Sequence, residues 1–113
     1  MAPAPNLVEQ IIEFVDRNYA QPISLRDVAN ALGYSSCHVT TTFRHATGVP
    51  VTAWIIKRRV KEAERLLATR NINIVAASES VGFRDPGYFT RQFLRHVGMT
   101  PARFRDAARA DAA

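Results

Sequence analysis

The sequence has one cysteine, Cys37, in 113 residues. That excludes an internal disulfide framework and any zinc site built on several cysteines, and it fits a reducing, cytoplasmic setting. No apolar run approaches the roughly 18 residues that a membrane-spanning helix needs. The start, Met1-Ala-Pro-Ala-Pro-Asn6, lacks the basic and apolar regions of a secretory signal. Strand-like alternation of apolar and polar residues is also missing. There is no phosphate loop, no paired-carboxylate pocket and no Ser/His/Asp arrangement, so an enzyme is not expected, nor is a ligand pocket. Cys37, His38 and His45 stand close together without metal-ligand spacing, and neither a metal nor a cofactor is implied.

What is present is charge of one sign. Fifteen Lys and Arg stand against ten Asp and Glu, a formal net charge of +5. The excess is uneven. Residues 1–48 carry a net −1, and residues 49–113 carry a net +6. Such a balance favours a polyanionic partner, nucleic acid before an anionic membrane surface. Hydrophobic residues make up 47% of the chain, enough for a packed core.

The apolar spacing is helical nearly throughout. A first helix is expected over about 6–18, with Asn6 as its N-cap and Leu7, Ile11, Ile12, Phe14 and Val15 as its stripe. Ser24 caps a short helix with Asp27 in its first turn, and Gly33 ends it. A third helix over 36–46 turns Val39 and Phe43 inward. A long helix follows over 51–68, with Trp54, Ile55, Val60, Ala63, Leu66 and Leu67 on its apolar side. Asn73 caps the next, which Gly82 ends. Asp85-Pro86 and Thr100-Pro101 each pair a capping residue with a proline at the first helical position. They open helices over 86–97 and 101–108, and a frayed end is expected over 109–113. The fold expected is all-α, with about seven helices.

Two stretches repeat one layout. LRDVANALGYSSCHVTTTFRHATG at 25–48 and IVAASESVGFRDPGYFTRQFLRHVG at 74–98 each give a short helix, a Gly turn and a longer helix. The second turn is one residue longer. The small residues Ala29 and Ser78, four before each turn glycine, allow the helices to approach closely. This is the layout of a helix-turn-helix, twice. Three parts follow: one helix-turn-helix subdomain over 6–50, a linker helix over 51–68 and a second subdomain over 69–108.

The second unit, with VGFRDPGYFTRQFLRHVGMTPARFR at 81–105, resembles the signature of the AraC/XylS family of bacterial transcription regulators. The linker stretch WIIKRRVKEAERLL at 54–67 resembles it too, through Arg59, Ala63, Leu66 and Leu67. The resemblance covers about 6–106. It implies sequence-specific binding of double-stranded DNA at a promoter, activation of transcription and contact with RNA polymerase. It implies two reading helices, 36–46 and 86–97, in successive major-groove segments about one turn apart. A monomer would then suffice on DNA, unless this is part of a longer chain. Many family members carry an effector or dimerisation domain ahead of this region, so a stand-alone regulator and an excised domain both remain open.

By the same resemblance Cys37, Thr40 and Thr41 are base-reading candidates in the first helix. Thr90 and Arg91 are the candidates in the second, Arg91 being suited to guanine. Arg44, Arg84 and Arg95 are placed on the DNA backbone, with His38 and His45 as further backbone candidates. Relatives often have a long Arg or Gln where Thr40 and Thr41 stand, so weak or apolar discrimination is expected from the first helix. Pro86 and Gly87 replace polar readers, which leaves backbone amides there to hold a phosphate. The plainer readings are solvent-exposed threonines and histidines, an Arg91–Glu79 ion pair, and a solvated face for Lys57, Arg58 and Lys61. Arg59 is expected in an internal contact, and Tyr34 and Trp54 in the core. A protein-only adaptor is the alternative class.

Overall fold

The structure is a computed structural model that describes residues 6–112. Seven helices occupy them, without a strand among the described residues: α1 Leu7–Asn18, α2 Leu25–Leu32, α3 Ser36–Thr47, α4 Val51–Thr69, α5 Ile74–Ser80, α6 Pro86–Val97 and α7 Pro101–Ala112. The all-α expectation holds. The chain divides into two compact units between Ile55 and Ile56, inside α4.

The helix starts are fixed by local chemistry. Asn6 accepts from the Glu9 amide at 2.8 Å, Ser35 from His38 at 3.1 Å, and Asn73 from Ala76 at 2.7 Å. At α2 the capping is reciprocal. Ser24 accepts from the Asp27 amide at 3.2 Å, and the Asp27 carboxylate accepts from the Ser24 amide at 2.8 Å. Each cap satisfies an amide that the helix itself cannot.

In the first unit α1, α2 and α3 pack on one another around Ile11, Val15, Val28, Ala29, Val39 and Phe43. Val51 and Ile55 of α4 close this core, and half-buried Trp54 meets Phe43 edge-on at 5.7 Å between centroids. In the second unit the core is more aromatic. Phe83, Phe89, Phe93 and Phe104 follow one another at centroid distances of 5.1, 5.6 and 5.5 Å. Val60, Ala63 and Leu67 of α4 are buried there, with Ala77 and Val81.

The repeat is structural as well as sequential. Gly33 and Gly82 both take positive φ, 80° and 102°, which a Cβ would disfavour. The next amide then reaches back to the small residue of the preceding helix. Tyr34 donates to the Ala29 carbonyl and Phe83 to the Ser78 carbonyl, both at 3.0 Å. From 37 to 50 and from 87 to 100, buried, half-buried and exposed positions recur in the same order.

Three expectations are corrected. Helix α7 continues to Ala112 instead of ending near Ala108. Arg109 donates to the Asn71 side chain at 2.9 Å, which ties this last stretch to the loop after α4. The frayed end expected over 109–113 is therefore helical to 112, and residue 113 lies outside the described residues. Tyr34 is 41% exposed, not core. Its ring stacks on His38 at 5.3 Å instead.

Ala29 and Ser78 hold matching places, yet the Ser78 hydroxyl is fully buried and has no hydrogen-bond partner among the described residues. An unmet buried hydroxyl costs about 1–3 kcal/mol. Ser78→Ala is therefore expected to raise stability by about 1 kcal/mol, read as a higher midpoint in urea unfolding. A second expectation concerns pH. The Ser24 backbone and hydroxyl bonds hold the Asp27 carboxyl below its ordinary value of 3.8. The bond's contribution is then complete above 3.8 and is lost as pH falls through the lower folded value. The stability gap between wild type and Asp27→Ala should be constant from neutral pH down to about 3.8, shrink below that, and close once pH has passed the lower folded value.

Candidate nucleic-acid interface

Helices α3 and α6 each bury one side and present the other to solvent. Val39 and Phe43 are fully buried on α3, as are Phe89 and Phe93 on α6. With 3.6 residues per turn, the side opposite α6's buried pair carries Gly87, Tyr88, Arg91, Leu94 and Arg95. All five are exposed. On α3 the matching positions are Cys37, His38, Thr41, Arg44 and His45, also exposed. Positions 37, 40, 41, 44 and 87, 90, 91, 94 hold the i, i+3, i+4, i+7 places of one side of each helix.

The first helix brings Cys37, Thr41 and Arg44 together on its outward side, as the sequence suggests. Thr40 is half-buried at the edge of this face, with no hydrogen bond on its hydroxyl among the described residues. Arg44 and His45 form no ion pair there either. His38 is exposed but engaged with Tyr34, so its ring has a fixed tilt, 25° from its partner.

The second helix differs in chemistry. The Arg91 guanidinium stands 5.9 Å from the Tyr88 ring centroid, within cation–π reach. It makes no ion pair with Glu79 among the described residues. Tyr88 also meets the buried Phe83 at 6.0 Å, and Arg59 of α4 lies over the other partner, 5.8 Å from the Phe83 centroid. The internal contact expected of Arg59 is thus present. Burial pulls its pKa down, partly offset by Tyr88. Arg84 and Arg95 are exposed and without ion pairs among the described residues.

Two features narrow the sequence reading. The Thr90 hydroxyl donates to the Pro86 carbonyl one turn back at 3.0 Å, and Thr90 is half-buried. Its donor is already used, so what it can still offer a ligand is an accepting oxygen and its methyl. The helix N-terminus is also less open to a phosphate than expected. Pro86 has no N–H, and the Gly87 amide donates to the Asp85 carboxylate at 3.0 Å. That carboxylate would repel an anion at the same place.

Sequence reasoning passed over Tyr88 and Leu94, which is 47% exposed. The signal was available in the repeat, because position 94 matches Arg44. Lys57, Arg58 and Arg59 are all engaged in interactions, and Arg65 forms a forked bond to Glu62 at 2.9 and 2.6 Å.

No group of three or more His, Cys, Asp or Glu that could hold a metal occurs among the described residues. No described helix is long and apolar enough to cross a membrane.

Gly87 tests the local geometry. A Cβ built there meets Asp85 Oδ1 at 3.4 Å and an Arg91 guanidinium nitrogen at 3.6 Å, both ordinary contacts. Gly87→Ala should therefore be accepted and should stabilise the protein by about 0.5–1 kcal/mol, measured by denaturant unfolding. A loss of stability would mean that Asp85 and Arg91 cannot share the space.

Comparison with known proteins bears on the same surface. The family model described as a helix-turn-helix domain matches residues 28–107. The transcriptional activator AarP of Providencia stuartii is 27% identical over 88% of this chain and 74% of its own length. The DNA-binding domain of AdpA, solved in complex with a target DNA, superposes with a TM-score of 0.87 at 26% identity, covering 95% of this chain and 96% of that one. A probable AraC family transcriptional regulator from Rhodopseudomonas palustris gives 0.84 at 26% identity, over 92% of this chain and 98% of that one. A tandem helix-turn-helix with these matches along most of its length identifies the chain as a member of the AraC/XylS family, in its DNA-binding domain.

Proposed function

We propose that this domain regulates transcription by inserting α3 and α6 into successive major-groove segments of a promoter, and that it acts as an activator. The observation that carries this reading is the repeated outward face on a chain of net charge +5. Each reading helix anchors its inward side with an aromatic and offers the other side to solvent. The arginines on that outward side have no acidic partner among the described residues. An unpaired guanidinium is a donor fork that costs no broken ion pair when it meets guanine or phosphate.

Within this reading α6 is the stronger reader. Arg91 takes the O6 and N7 edge of a guanine, with Tyr88 limiting its swing. Arg84 and Arg95 bind phosphates on either side. On α3, Cys37, Thr40 and Thr41 face base edges, while Arg44 and His45 meet the backbone. His38, stacked on Tyr34, offers a ring nitrogen to phosphate. Thr90 contributes its methyl. The domain works as a monomer on a site of two unlike blocks, in the cytoplasm, and activation proceeds through contact with RNA polymerase. Its role is binding, without catalysis. AarP's description as an activator supports the direction of regulation.

Selection from a random duplex library at fixed salt tests the reading. Two non-identical blocks about 10 bp apart are expected. Failure to enrich any motif at moderate salt would overturn sequence-specific binding. Arg91→Ala should relax one block and cost about 1–3 kcal/mol. Uniform weakening across sequences would instead place Arg91 on a phosphate.

A further inference from the structure

We propose that Leu94 is a specificity residue of the second reading helix, and that it recognises the 5-methyl group of a thymine next to the guanine taken by Arg91. The inference rests on the DNA-binding reading above and adds a residue and a ligand group to it.

Leu94 is 47% exposed, although a leucine gains by burial. It does not lie at the margin of the packed core. It stands about 60° from Arg91 around the helix and one turn beyond it, on the outward side. It is also the fourth member of the i, i+3, i+4, i+7 set that begins at Gly87. In the first unit the matching residue is Arg44, so the shared backbone frame accepts a long cation at this position. In the second unit the cation is replaced by an apolar side chain.

The surroundings say what that side chain is suited to meet. Arg91 and Arg95 flank it and form no ion pair among the described residues. An apolar group ringed by unpaired cations is a poor match for an apolar protein partner, which would have to bury those charges. It is a good match for a major groove, where phosphates border the base edges. The one apolar group that groove displays is the thymine 5-methyl. Three residues of helix advance about 4.5 Å, so the methyl lies one to two base pairs from the guanine. Thr90, one turn before Leu94, has its hydroxyl donor committed to the Pro86 carbonyl, so it does not compete for a base-edge acceptor there.

The test removes the methyl and nothing else. Each thymine in the second block of the selected duplex is replaced in turn by deoxyuridine, and binding is measured for wild type and Leu94→Ala at one salt concentration. Wild type is expected to lose about three- to fivefold at one position. Leu94→Ala should lose a similar factor on the parent duplex and be indifferent to deoxyuridine at that position. Leu94→Arg, which copies Arg44, should lose the methyl preference while its affinity falls more steeply with salt. Wild type binding every deoxyuridine duplex as tightly as the parent overturns the proposal while leaving sequence-specific binding intact. So does Leu94→Ala keeping the full methyl preference. Absence of any selected motif for wild type overturns the broader reading and this one with it. Circular dichroism of the variants confirms that a surface change at Leu94 leaves the fold in place.

Discussion

The inward pair of aromatic or branched residues on α3 and on α6 governs the rest of the molecule. Phe43 with Val39, and Phe93 with Phe89, are fully buried one helical turn apart. A helix held at two such points cannot rotate about its own axis without exposing a phenylalanine, which would cost about 2–3 kcal/mol. The core therefore decides which residues face outward, and it decides this separately from what those residues are. The turn glycines complete the constraint, because Gly33 and Gly82 let the chain reverse while the next amide bonds back to Ala29 or Ser78.

On this common frame the two outward faces have diverged in chemistry. Cys37 stands where the second unit has Gly87, Thr41 where it has Arg91, and Arg44 where it has Leu94. In the first unit the long cation sits two turns into the helix and a short hydroxyl sits nearer its start. In the second unit the long cation Arg91 sits nearer the start, and the apolar Leu94 takes the place of Arg44. The aromatic support differs too. His38 stacks flat on an exposed Tyr34, whereas Tyr88 leans on a buried Phe83 that Arg59 covers. The second support is continuous with its core, and the first is a surface pair.

Much of this was legible in the sequence because it depends on short-range chemistry. Asn6, Ser24, Asn73 and Asp85 cap the helices that they precede. The turn glycines, the extra residue of the second turn and the inward aromatics could all be read from spacing. What escaped was set by contacts distant in sequence or by competition between bonds. Nothing near Arg109 announces that it will reach Asn71 and carry α7 onward. Tyr34 looks like core by its bulk, yet its neighbour on the surface is His38. Thr90 resembles a base-reading donor until its bond to Pro86 is seen. Leu94 is turned outward because Phe89 and Phe93 take the inward side of α6.

The matching order of burial over 37–50 and 87–100 has a bearing on how such a protein can change over generations. Outward positions carry little of the folding free energy, so they can be replaced one at a time without weakening the scaffold. On the two-block reading proposed above, a change on one helix would re-address one half of a site while the other half keeps the protein in place. A tandem repeat of this kind, read so, would allow gradual retargeting without an intermediate that has lost its hold on DNA.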